Sequence, residues 1–198
     1  MAKGSSFERD ICRQLSLWWT NGEDDSCFWR TSNSGGRATA RGKQGKKTTG
    51  HYGDIAATDG RGEPLTRLLT IELKRGYSHL SLQDLLDLPI GKKGGNAGEN
   101  WSDWLHKAQR DHEAAGSFSW LMIVRRDRRE PLVVAPDHLV MGLAEHSLGD
   151  ANSYTAASIR ILPRHINTGY LWAFLLRDFL EDVTPACIKA LLEKVQCP

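Results

Sequence analysis

Leu68-Leu69-Thr70-Ile71-Glu72-Leu73-Lys74 is the stretch that decides how this chain is read. Apolar and polar residues alternate along it, and a period of two marks a β-strand, whose successive side chains point to opposite faces. Leu69, Ile71 and Leu73 then share one face, while Glu72 and Lys74 share the other. The backbone alone would hold an acid and an amine on a common surface. An ordinary half-solvated strand has the same pattern, so the tripeptide Glu72-Leu73-Lys74 takes its meaning from what surrounds it.

Eighteen residues upstream, Gly53-Asp54-Ile55-Ala56-Ala57 places an acid at the opening of a short apolar run after a glycine, which reads as entry to a preceding strand. Asp59-Gly60 and Gly62-Glu63-Pro64 supply turn residues between the two runs. The expectation is a hairpin that brings Asp54 near Glu72. Two carboxylates can hold Mg²⁺, or Mn²⁺ in its place, through oxygen ligands. A lysine beside them can orient or help deprotonate an attacking water. Phosphodiester hydrolysis needs this set: positive charge for the developing oxyanion and a positioned nucleophile.

With 198 residues, 40% of them hydrophobic and 25% charged, the chain can bury a core of its own, and one domain is expected over 1–198. The core is expected at about 5–140 and a helical C-terminal extension at about 165–198. No run approaches the roughly 20 apolar residues of a membrane span, and Met1-Ala2-Lys3-Gly4-Ser5 lacks the apolar heart of a signal peptide. A cytoplasmic location is the default expectation. Cys12, Cys27, Cys187 and Cys197 form no C-x-x-C pair, which excludes a zinc-ribbon reading and leaves reduced thiols. A net charge of +2 is too small to imply a polyanionic partner, yet between Arg30 and His51 there is no acid at all.

Along the chain, Phe7, Ile11, Leu15, Trp18 and Trp19 recur at helical spacing, predicting a helix over about 6–19 with Ser5 as N-cap and Glu8 completing a capping box. The segment from Thr31 to Gly50 is rich in glycine, serine and basic residues. Arg30, Arg37, Arg41, Lys43, Lys46 and Lys47 give it the pattern of a loop ordered by phosphates. Ser81 caps a short helical run to Leu88, and a second glycine-rich stretch spans Gly91 to Gly98. A helix runs from near Ser102 to Gly116, with Lys107, Gln109, Arg110 and His112 on its polar side. Strands are expected at Ser119–Val124, Pro131–Ala135 and Ile159–Leu162, and two terminal helices at Gly169–Val183 and Thr184–Val195.

Taken in order, Lys3-Gly4-Ser5-Ser6-Phe7-Glu8-Arg9, Arg30 with Ser34-Gly35, Gly53-Asp54-Ile55, Glu72-Leu73-Lys74 and the Gln109 helix followed by Trp120–Val124 resemble the PD-(D/E)xK nuclease superfamily. Within it the chain looks most like archaeal-type Holliday junction resolvases and their phage relatives, over about the first two-thirds of its length. The resemblance implies an α/β fold, a restriction-endonuclease-like central mixed β-sheet flanked by helices. It also implies a divalent metal held by Asp54 and Glu72 with Glu8 assisting, and Lys74 at the attacking water. Arg30, Ser34, Arg75 and Gln109 join the basic loop as implied DNA contacts, and a homodimer on branched DNA is the implied assembly. The family's proline before the aspartate is Gly53 here. Two other classes compete: a nucleic-acid-binding module on the same fold without hydrolysis, and an assembly protein whose seven tryptophans serve packing.

Overall fold

A computed structural model describes residues 3–31, 52–76, 81–86, 100–146, 158–163 and 169–196. Helix α1 (Lys3–Trp19) leads into strands β1 (Phe28–Arg30) and β2 (Ile55–Ala57), then helix α2 (Glu63–Leu68) and strand β3 (Leu69–Arg75). Helices α3 (Gln83–Leu86) and α4 (Trp101–Ala115) follow, then β4 (Ser119–Arg125), β5 (Leu132–Pro136) and α5 (Asp137–Ala144). The chain closes with β6 (Ser158–Ile161), β7 (Leu171–Leu175), α6 (Leu176–Asp182) and α7 (Pro185–Gln196).

Five strands form a mixed sheet in the order β3-β4-β5-β7-β6, with β3 parallel to β4 and every other pairing antiparallel. Its inner strands are largely buried on both faces, while the edge strand β6 is mostly exposed. Leu69, Ile71, Leu73, Leu121, Ile123 and Val133 pack on one side with α1, α5, α6 and α7. Trp120, Met122, Val124 and Val134 pack on the other with Trp101, Trp104, Leu105 and Ala108 of α4. This is the helix-flanked mixed sheet that the strand alternation and the resemblance led one to expect.

Three local expectations are corrected. Helix α1 already begins at Lys3, so Ser5 lies inside it and is no N-cap; Glu8 instead pairs with Arg30 at 3.4 Å. The turn between Asp54 and Glu72 holds a helix, α2, because Pro64 suits the first turn of a helix, where no amide hydrogen bond is lost. β2 therefore forms its antiparallel pair with β1, not a hairpin with β3. The segment Gly169–Val183 is not one helix: its first part is β7, the strand between β5 and β6. Leu171-Trp172-Ala173-Phe174-Leu175 has no polar face, and a five-residue apolar run that fills both sides of a sheet is satisfied as a strand. Only Leu176 onward is helical, so the C-terminal segment begins inside the sheet.

β2 still reaches β3, at its mouth. Asp54 donates its amide to the Ile71 carbonyl at 2.7 Å. Gly53 makes that approach possible with φ of +76°, and a Cβ there would lie 2.8 Å from the Ile71 carbonyl oxygen. The same φ explains the departure from the family's proline, whose ring fixes φ near −65°. Replacing Gly53 by Ala should therefore lower stability by about 2–4 kcal/mol in urea titrations, and Gly53 by Pro by at least as much; melting unchanged from wild type in both variants would contradict this geometry.

Candidate active site

The site is built on the face of β3 that looks at α4. Glu72, at 0% exposure, is enclosed between the sheet and that helix, and its register partner on β4 is Met122. A carboxylate so deprived of water needs partners, and two ammonium groups supply them. Lys74 Nζ lies 3.1 Å from Glu72 Oε2, and Lys107 Nζ lies 2.5 Å from Oε1. Burial alone would push the Glu72 carboxyl up, but Lys74 and Lys107 together hold it below the usual glutamate value. Lys107 is in turn held by Asp111 at 2.7 Å, one helical turn along α4.

Asp54 approaches the same point from the edge of β3. Its Oδ2 accepts the amide of Leu73 at 2.8 Å, so its main chain and its carboxylate grip β3 on both sides of Glu72. With 8% exposure, its carboxyl is pushed up to about 6, first by burial and then by the charge of Glu72. The Leu73 amide, Lys74 and Lys107 pull the other way without cancelling this. Two buried acids therefore repel each other across a site whose cations are bonded to only one of them.

Glu8 belongs to the same neighbourhood. The buried Cys12 thiol, one turn further along α1, is pushed up to about 12 by burial and then by the charges of Glu8 and Asp54. Arg30, at the end of β1, bonds Glu8. Thr31 donates its amide to the Asp54 carbonyl at 3.0 Å and its hydroxyl to the Gly53 carbonyl at 2.9 Å. Hence the chain leaves the described residues beside Asp54 and re-enters them at Tyr52. Ser34, Arg37, Arg41, Lys43, Lys46 and Lys47 lie outside the described residues, as does the glycine-rich stretch 91–98.

The remaining expected contacts are engaged within the fold. Arg75 donates to Ser6 Oγ at 3.0 Å and lies over the Phe7 ring. Gln109 accepts from the Trp120 indole at 3.1 Å and donates to Glu113 at 2.6 Å, which ties α4 to β4. The residue that sequence reading missed is Lys107. It was visible only as one of several polar positions on α4; an acid one turn later, at Asp111, was the available signal.

A hard divalent cation suits this donor set. Asp54 and Glu72 offer oxygen only, the donor type such a cation prefers. Among the described residues no cluster of three or more His, Cys, Asp or Glu is arranged to hold a metal, so water and substrate phosphate would complete the shell, as Mg²⁺ tolerates.

A mixed sheet with an edge aspartate, and a Glu-x-Lys strand facing a helix, define a PD-(D/E)xK nuclease core. The family model of phage putative PDDEXK endonucleases matches residues 1–185, and the chain belongs to that family. No curated protein and no solved structure matches it.

Asp54 generates a stability test. Because its folded value of about 6 lies above the unfolded carboxylate value near 3.8, the native state keeps the proton longer. The stability this confers is full at low pH and is lost as pH rises through about 6. Asp54→Asn keeps an oxygen for the Leu73 amide and removes the repulsion. In EDTA at pH 8 the variant should melt above wild type, and the gap should close towards pH 4; a wild-type chain melting higher at pH 8 would contradict the buried repulsion.

Proposed function

We propose that this protein is a Mg²⁺-dependent endonuclease that hydrolyses DNA phosphodiester bonds, with Asp54 and Glu72 as metal ligands and Mn²⁺ as an effective substitute. The observation that carries this reading is the burial of both carboxylates against β3 with Lys74 bonded to one of them. A metal so bound would supply charge neutralisation at the phosphate and a water of lowered pKa. Lys74, fixed by Glu72 and partly enclosed, holds its ammonium where the attacking water must be oriented. Glu8, paired with Arg30 and within electrostatic reach of Cys12 as Asp54 is, is the auxiliary acid of this reading.

Lys107 extends this reading. Both Glu72 oxygens carry an ammonium, so a metal approaching Glu72 would compete with Lys107 for Oε1. Asp111 already holds the same ammonium at 2.7 Å and would keep it after release. Lys107 is thus a stand-in cation that a bound metal would displace from Oε1.

The family resemblance keeps branched DNA among the substrates and a homodimer as the expected assembly. The apolar segment 170–176 commits Leu171, Ala173 and Phe174 to the sheet. Recombination, repair and phage DNA processing are all compatible with such an activity.

The cleavage panel is linear duplex, single strand, flap and four-way junction with Mg²⁺ or EDTA. Wild type should cut at least one of them only with metal, and Asp54→Asn and Glu72→Gln should lose that activity by at least 100-fold while remaining folded, given that each removes a ligand. Full activity in either variant refutes the assignment, and binding without cleavage throughout would favour the non-catalytic module. Calorimetric Mn²⁺ titration tests the stand-in cation separately. Lys107→Met should bind Mn²⁺ about tenfold more tightly, a gain of roughly 1.4 kcal/mol; equal or weaker binding would exclude the role.

A further inference from the structure

A cleft of about 630 Å³ opens beside the site, between the α3–α4 region and the turn joining β4 to β5. Its position follows from the sheet register. Lys74 is paired with Val124 on β4, and Val124 lines the cleft; one residue on, Arg75 is paired with Arg125. The Gly76 amide closes that end of the two strands by donating to the Arg125 carbonyl at 3.2 Å. The cleft therefore begins one strand away from Lys74, on the face that carries Glu72.

Its walls are of two kinds. Arg125, Arg126, Arg128 and Arg129 line one side, and the acid beside them, Glu130, lies within electrostatic reach of Arg177. Guanidinium forks grip phosphate oxygens in pairs, so such a wall suits a phosphodiester backbone better than a lone metal or a neutral ligand. Leu82 and Leu132 supply the accessible apolar side, with Trp101 and Trp104 buried behind them. The two indoles meet edge to face at 5.4 Å, and Trp101 is anchored through its N–H to the Ser81 carbonyl, so this wall is firm.

Size selects the occupant. A cleft of this volume falls in the range of about 300–1,000 Å³ that holds small ligands, enough for one or two nucleotides. A paired duplex, whose major groove alone spans about 12 Å, is too broad to enter it. Resting on the nuclease reading, we propose that the cleft takes an unpaired nucleotide of the DNA strand next to the scissile phosphate, the arginines on its phosphates and the tryptophan-backed wall against its base. Substrates with unpaired strands beside the cut are then preferred over continuous duplex.

The test is binding in EDTA, measured by fluorescence anisotropy with the full chain, on a blunt DNA duplex and on the same duplex carrying a short single-stranded tail of DNA or RNA. Wild type should bind the DNA tail about tenfold more tightly than the blunt end, the gain of one well-held base. The double variant Arg128→Glu/Arg129→Glu should lose that difference. Leu82→Trp, which fills the cleft without changing charge, should also lose it while blunt-end affinity stays within about twofold. Equal wild-type affinity for tailed and blunt ends, or an undiminished preference in Leu82→Trp, would overturn the proposal. Tighter binding of the RNA tail would overturn the assignment to DNA. Adding Mg²⁺ to wild type separates the two levels: tail preference without any cleavage defeats the nuclease reading and supports the cleft, whereas cleavage without tail preference does the reverse.

Discussion

Two hydrogen bonds from one residue carry the organisation of this molecule. Asp54 gives its amide to the Ile71 carbonyl and takes the Leu73 amide on its carboxylate, so the β1–β2 pair is fastened to the edge of the five-stranded sheet around Glu72. The contact is permitted by the left-handed backbone of Gly53, where any side chain would collide with β3. It fixes the carboxylate by main-chain geometry, which is stiffer than any rotamer. It also determines where the segment after Thr31 departs and where it returns.

The electrostatics follow from that clamp. Bringing Asp54 against Glu72 in a dry site sets two like charges together, and the protein resolves only half of the conflict. Glu72 receives two lysines and stays ionised; Asp54 receives one amide and is left with a raised proton affinity. Such imbalance is costly for stability and is found where a site awaits a charged ligand. The nuclease family to which the chain belongs gives that imbalance a use.

Much of this was legible from the chain, for reasons that can be named. Period-two alternation revealed β3 with its two faces, and the acid after Gly53 foretold Asp54 near Glu72, although by a route other than the expected hairpin. The α4 boundaries were set by the left-handed Gly116 and its flanking pattern. What escaped depended on long-range packing. Leu171–Leu175 is apolar on every side, so periodicity cannot separate a central strand from a buried helix; its neighbours β5 and β6 decide. Lys107 is one polar residue on a polar helix face until α4 is laid over β3. The arginines of the β4–β5 turn gain meaning only from the tryptophans that the fold brings opposite them.

The central claim is that Asp54 and Glu72 share a divalent cation. Crystals grown with Mn²⁺ and measured at its absorption edge locate the ion independently of any activity. An anomalous peak within coordination distance of both carboxylates, with Lys107 turned from Glu72 towards Asp111, is the result this account predicts. A map with Mn²⁺ bound elsewhere, and Lys107 still seated on Glu72, would contradict it.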